Sequence, residues 1–451
     1  MNRRKFIGSV AGASAFLLNK CSSSSPERTK EAPGASTPVS PDGKLAGKTY
    51  EELLKEYKSY IFDDFFPFVE KYAVDPEFGG FMCNTDVHGK NITTNKTAWY
   101  EGRGTWSFSF LYNTLKKDPK YRDIGRKSVE FTLKTAPQGD GFWPGSFSRE
   151  GKPIEQPAPN FYGDLFIASG FQEYAEASGE EKYWNLAKEL MFKCLKRYDS
   201  PDYFPEAGMS YLGEGATPTP GARIGGHWFM LVNLASLMLE QRHDPEIVAV
   251  ADRCLDAVVN YHYNPDFGLL NELINHDLSR PQNELAQFVY LGHNVETLWM
   301  CLYEVARRKD KTLFEKVAAM FKRNLEVAWD DVYGGVLMDL RHVDNNVWGP
   351  TRKSNWAQGE TLIGLMLILE HTGAPWAAEW FGRVFNYMTE KFPLKKYGYP
   401  LWIDYADRKV TFVEKDFNRV EVLHHPRHLM MNAGALERII ARKGNISGQL
   451  A

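Results

Sequence analysis

The usual punctuation of metal and redox proteins is missing from this chain. Its five cysteines, Cys21, Cys83, Cys194, Cys254 and Cys301, include no CxxC pair, and they are too scattered for a zinc ribbon or a disulfide framework. There is no HExxH, and Gly102 and Gly104 do not extend to a G-x-G-x-x-G loop after a strand, so neither a zincin nor a dinucleotide fingerprint is present. A basic excess is lacking too: 54 Lys and Arg face 57 Asp and Glu, for a net charge of -3. That balance excludes the clustered positive footprint of a nucleic-acid partner. The apolar run from Phe6 to Leu18 is too short to cross a bilayer.

That run instead belongs to a leader. MNRRKFIGSVAGASAFLLNKC has a basic start, an apolar stretch and a cysteine, the layout of an export signal. Its RRKFIG resembles a twin-arginine address. Residues 1–21 are therefore read as a leader, with Cys21 a candidate lipid anchor to a membrane, and the Ser- and Pro-rich residues 22–48 as a flexible tether. The expected location is the periplasm, free or membrane-anchored, with residues 49–445 forming one catalytic domain.

What the chain has in quantity is aromatic residues and repetition. Twelve Trp, 22 Tyr and 28 Phe suit a large core, and the sharper reading is flat ring platforms for sugars or bases. Segments such as HWFMLVNLASLMLEQR, HNVETLWMCLYEVARR and NWAQGETLIGLMLILEHT carry apolar residues at helical spacing. Strand signals are confined to brief runs such as GGVLMDL and YPLWID. Between the helices, breaks that place an aromatic near a glycine recur at Phe78, Phe142, Phe204, Phe267, Tyr333 and Tyr397. Their period of roughly 62 to 66 residues holds two helices and a loop. An open solenoid needs polar end caps, but the last unit ends in LMMNAGALERII. The expected fold is all-α: a closed toroid of six helical hairpins with short β-hairpins in the loops, and a cleft ringed by inner-helix ends.

Four segments bring polar chemistry to such helix starts. LGHNVETLWM sets His293 and Glu296 three apart, hence on one helix face, although an N-terminal capping arrangement with Asn294 is an equal reading. Upstream, FGLLNELINHD puts Glu272 where it could overhang the same cleft. VEVLHHPRHLMM supplies His424, His425, Arg427 and His428 around Pro426. WYEGRGTWSFSFLYN sets Arg103 ahead of an aromatic helix, and KSNWAQGETL offers Trp356, Gln358 and Glu360. Asp164 in FYGDLF and His227 in IGGHWF fall near further cleft positions.

These segments, in this order, resemble the N-acylglucosamine 2-epimerase family, which includes cellobiose 2-epimerases and aldose–ketose isomerases. GHNVETLWM is similar to its GHxxExxW segment, HHPRHLM to its H-x-P-R segment, GRGTWSFSFLY to R-x-x-W-x-F and NWAQGE to W-x-Q-x-E; MLVNL is similar to a segment of the N-acylglucosamine branch. The resemblance implies an (α/α)6 barrel and a homodimer. For the site it implies His293 and His424 as a catalytic pair, with Arg103, Glu296, Glu272, Arg427, Trp356 and Glu360 around a reducing sugar; Asp164 joins them as a candidate from its place near the cleft, not from the resemblance. Arg103 would hold the sugar oxygens, and Glu296 would orient His293 or help to open the ring. Neither metal nor redox cofactor is needed. A glycoside hydrolase or lyase would instead use a carboxylate pair drawn from Asp164, Glu272 or Glu296. A carbohydrate-binding protein without catalysis is the third possibility.

Overall fold

The computed structural model describes residues 37–155, 161–204, 220–345, 352–398, 400, 402, 405–406 and 420–450. The leader, Cys21 and most of the tether lie outside the described residues. Residues 37–48, expected as tether, are packed instead. Val39 and Leu45 are fully buried, β1 (Lys44–Leu45) pairs antiparallel with β2 (Lys48–Thr49), and Val39 N–H donates to the Gly444 carbonyl.

Helices follow from local signals. Thr49 opens α1 (Tyr50–Ser59) with a reciprocal capping box to Glu52. A π-helical turn, Tyr60–Phe65, then leads into α2 (Phe66–Tyr72). Next come α3 (Ala98–Thr114), capped by Thr97, and α4 (Pro119–Lys134), capped by Asp118 with proline in the first turn. The series continues with α5 (Tyr162–Ser178), α6 (Glu181–Tyr198), α7 (Gly225–Gln241), α8 (Pro245–Asp256), α9 (Leu291–Arg308), α10 (Lys311–Ala328), α11 (Asn355–Thr372), α12 (Pro375–Lys391) and α13 (His424–Ala441).

Two burial patterns separate these helices into layers. The outer helix α4 buries Tyr121, Gly125, Ser128, Val129 and Thr132, a single stripe at three-to-four spacing. By contrast α11 is buried on every side from Ala357 to His371, as a helix between two layers must be. The inner helices α3, α5, α7, α9, α11 and α13 each touch the next, and α13 touches α3. Around them, α4, α6, α8, α10 and α12 each back the preceding inner helix, and α13 is backed by α1 from the other end of the chain. The result is a closed (α/α)6 barrel, all-α apart from short hairpins.

Those hairpins stand at one rim. β3 (Lys96–Thr97), β4 (Arg223–Ile224) and β5 (Lys353–Ser354) run directly into α3, α7 and α11, so the loops gather at inner-helix N-termini. GGVLMDL forms only isolated bridges, Trp329 with Val336 and Val289 with Leu340, rather than the strand expected there. At the opposite end the ring axis is not filled. A cavity of about 550 Å³ remains between Phe110, Tyr303, Glu370 and Arg438, floored by Trp299 and Arg427.

Two of the rim units are near copies. Asp75-Pro-Glu-Phe-Gly-Gly-Phe precedes Lys96-Thr-Ala-Trp-Tyr-Glu-Gly-Arg103, and Asp330-Asp-Val-Tyr-Gly-Gly-Val precedes Lys353-Ser-Asn-Trp-Ala-Gln-Gly-Glu360. In each, the aspartate accepts main-chain N–H groups two and three residues on and an ion pair from the buried lysine, at 2.9 Å from Lys96 and 2.8 Å from Lys353. In each, the first turn of the inner helix also pins the loop: Glu101 accepts Phe81 N–H at 2.9 Å and Gln358 accepts Val336 N–H at 2.8 Å.

Candidate active site

His293 and His424 both stand at the loop-bearing rim, in the first turns of α9 and α13. Between them lies the Trp356 indole, whose ring centre is 5.9 Å from the His293 ring and 5.3 Å from that of His424. Gly292 makes this possible: a Cβ there would come within 2.5 Å of the Trp356 ring, so only glycine lets the indole lie over the start of α9. The two imidazoles are thus separated by no more than those two spans together.

Each histidine is held through Nδ1 by a carboxylate. Glu272 Oε1 is 2.9 Å from His293 Nδ1, and Glu360 Oε1 is 2.8 Å from His424 Nδ1. Because an ionised carboxylate only accepts, the Glu272 contact favours the proton on Nδ1 of His293, whereas Nδ1 of His424 faces both the Glu360 carboxylate and, at 3.2 Å, the donor Arg427 Nη2. The carboxylate on His293 therefore comes from Glu272, 21 residues upstream across a hairpin, rather than from Glu296 on its own helix. Glu296 turns to Arg427, whose Nη2 lies 2.5 Å from Glu296 Oε1 and 2.6 Å from Glu360 Oε1. The capping alternative also falls away, since no side chain caps α9 and Asn294 donates to the Leu270 carbonyl.

Burial shapes the electrostatics. His424 is desolvated, which pushes its pKa down to about 3 despite the nearby Glu421 and Glu296, so the ring is neutral at ordinary pH. Desolvation pushes Glu360 up, offset by Arg427 and by the Trp299 indole N–H at 2.6 Å. Burial opposes charge on Arg427, but Glu360 and Glu296 outweigh it and hold the guanidinium protonated. Glu296, Glu360 and His424 would make a plausible cation cradle, with ligand atoms within 4.8 Å of one another; the Arg427 guanidinium already supplies the positive charge against both carboxylates.

Arg103 approaches from α3. Its guanidinium sits 4.6 Å from the Trp99 ring centre and 4.3 Å from that of Phe166, and Nη1 donates to Glu421 Oε1 at 2.6 Å. Stacking and ion pair together fix a planar donor fork. Asp164 stands apart from this group. It accepts the Trp143 N–H at 3.2 Å, burial raises its pKa to about 7, and the charge acting on it is that of Lys193; it pins a loop as Glu101 and Gln358 do. His227 does similar work, meeting the Tyr203 hydroxyl at 2.8 Å and stacking on Tyr198. His425 and His428 are core residues, buried with Trp402, Phe65 and Tyr57.

Two residues of the cluster were not singled out from sequence. Tyr162, the first residue of α5, is buried, and its hydroxyl is held protonated by desolvation and by the Glu296 charge. Glu421, three residues before His424, accepts from Arg103 and from two main-chain N–H groups. Tyr162 lay in the quoted FYGDLF and Glu421 in VEVLHHPR, but neither carries a local signal of its own.

Comparison with known proteins agrees with this architecture. A family model described as N-acylglucosamine 2-epimerase (GlcNAc 2-epimerase) matches residues 79–426. The chain belongs to that family. It is accordingly an enzyme of the isomerase class. A cellobiose 2-epimerase from Dictyoglomus turgidum is 20% identical over 340 residues, covering 69% of this chain and 81% of the relative. The structure of cellobiose 2-epimerase from Spirochaeta thermophila superposes with a TM-score of 0.73 at 18% identity, over 87% of this chain and 98% of that one. A D-mannose isomerase structure gives 0.66 at 14% identity, over 86% and 97%. At such identities the superpositions speak to the (α/α)6 fold, and the family membership rests on the matched segments.

Proposed function

We propose that this epimerase-family protein inverts C2 of a reducing sugar, with His293 and His424 as the two proton-transfer groups. The observation that supports this is the pairing itself: two imidazoles bordering one indole, each with Nδ1 engaged by a carboxylate. After ring opening, one Nε2 removes the C2 proton beside the aldehyde carbon, leaving an enediolate. The other histidine, in its protonated form, returns a proton to the opposite face. Neutral His424 suits the accepting role. Arg103 holds O1 and O2 and takes up the negative charge that develops on them, where a fixed donor in a desolvated site is worth most. Tyr162 adds a neutral hydroxyl donor. The substrate class is an aldohexose, an N-acylhexosamine or a disaccharide with a reducing end. Return of the proton to C1 instead would make the enzyme an aldose–ketose isomerase with the same residues.

The test is incubation of N-acetylmannosamine, N-acetylglucosamine, glucose, mannose and cellobiose in D2O. Deuterium at C2 with the C2 epimer supports the proposal, and a ketose product assigns the isomerase outcome. Shortened chains without exchange mean hydrolysis. His293→Ala and His424→Ala should each abolish turnover with the fold retained; substantial activity in either removes that histidine from the mechanism. We further propose export through the RRKFIG leader, with Cys21 as anchor, which cell fractionation and lipid labelling of a Cys21→Ser variant would test.

A further inference from the structure

The ring closes along one seam where α13 meets α3. Three hydrogen bonds hold the extended residues just before α13 in that seam. Val420 N–H donates to the Cys83 carbonyl at 2.6 Å, Ser107 Oγ donates to the Val422 carbonyl at 2.6 Å, and Arg103 Nη1 donates to Glu421 Oε1 at 2.6 Å. Glu421 differs from the other two anchors in what it joins. Its second oxygen, Oε2, accepts the main-chain N–H groups of Leu423 and His424 at 2.8 and 2.5 Å. These are the unsatisfied donors at the start of α13, where a carboxylate is favoured by both hydrogen bonding and the helix dipole. One buried side chain, 8% exposed, therefore grips the guanidinium of α3 with one oxygen and the backbone of His424 with the other.

We propose that Glu421 is a positioning residue that sets Arg103 and His424 in register across the closing seam. This rests on the proposed roles of those two residues. Arg103 packs its guanidinium beside the mutually stacked Trp99 and Phe166 rings, 4.6 and 4.3 Å from their centres, and the ion pair with Oε1 sets which way the planar fork points. His424 is fixed at Nδ1 by Glu360, but the place of its Cα depends on the first turn of α13, which Glu421 caps. Loss of Glu421 leaves both groups present and misaligned with each other, while Trp356, Glu360 and Arg427 stay as they are.

Three variants test this. Glu421→Gln keeps the shape but loses the charge that draws Arg103. A charge-assisted hydrogen bond of this kind contributes about 1.5–3 kcal/mol, so kcat should fall about tenfold or more with KM within about threefold. Glu421→Asp keeps the helix cap and falls a methylene short of Arg103, so it too should lower kcat with KM within about threefold. Ser107→Ala loosens the same seam without touching either group and should keep kcat within about twofold. Near-wild-type kinetics in Glu421→Gln, or an equal loss in Ser107→Ala, would overturn the proposal. If the wild type exchanges no C2 proton with any sugar, the functional reading fails first. The register is then read by nitrogen NMR: Arg103 and His424 side-chain signals should both move in Glu421→Gln and stay in Ser107→Ala, and unmoved signals would overturn the coupling.

Discussion

The rim unit from Asp75 to Arg103 and its counterpart from Asp330 to Glu360 are built alike and end in opposite charges. Both use an aspartate-capped glycine turn, a buried lysine on the aspartate and a first-turn side chain that pins the loop. The tryptophans correspond as well, yet Trp99 lies beneath a cation while Trp356 lies against a neutral imidazole. Two residues after each pin the chain turns to the ring centre, and there one copy presents Arg103 and the other Glu360. A barrel of equivalent hairpins thereby obtains an asymmetric site: the scaffolding positions are shared, and the centre-facing positions differ.

Breaking the centre-facing positions should have the largest effects. Arg103→Ala should cost about 10²–10³ in kcat, the usual loss for a preorganised oxyanion donor, measured in a C2-exchange assay. Removing a scaffolding lysine should instead act on folding. Lys353→Met leaves the Asp330 carboxylate without its cation, and Lys96→Met strips one partner from Asp75, which Arg149 still contacts at 2.9 Å. Breaking a buried pair costs about 3–5 kcal/mol, so denaturant titration should find both variants destabilised, Lys353→Met the more. Glu360→Gln should lower kcat by about tenfold to thirtyfold by weakening the hold on His424 Nδ1, a loss of roughly 1.5–2 kcal/mol.

A pH-dependent effect, absent near pH 4.5, sharpens the comparison further. Glu101→Gln gives the first copy the pin that the second already has. Burial raises the Glu101 pKa from 4.5 to about 7, so the folded state keeps a proton that the unfolded chain releases. The stabilisation is complete below pH 4.5 and disappears as pH rises through about 7. The variant should match the wild type near pH 4.5 and gain on it with rising pH, by at most about 3 kcal/mol. A stability difference that stays flat between pH 4.5 and 8 would show that Glu101 is ionised throughout.

Much of this was legible in the sequence. Helical periodicity and the recurring glycine–aromatic breaks lead to six hairpins and a closed ring, because both are local properties of the chain. The motifs around His293, His424, Arg103 and Trp356 point to helix starts at one rim. Partnerships across loops were not legible. Glu272 reaches His293 through a hairpin whose register no spacing reveals, so Glu296 looks the better partner on helix geometry alone. Asp164 and His227 look like cleft residues because polar groups at inner-helix starts have two destinations, the centre or the preceding loop, and only packing decides between them. KTAWYEGR and KSNWAQGE could have been aligned by eye, which would have marked Glu101 and Gln358 as loop pins. Residues 37–48 look like tether by composition, yet Val39, Ser40 and Leu45 are buried and anchor the segment.

The final pair of the barrel joins the first helix of the domain to the last. On a ribosome the chain therefore emerges with five hairpins and an unmatched outer helix, and His424 and Arg427 arrive only with the closing piece. With the role proposed for His424, completion of the site and topological completion of the ring coincide. The same geometry makes this barrel suited to rearrangement: new ends opened at an outer loop, with the old ends linked near Thr37 and Asn445, would preserve every helix pairing.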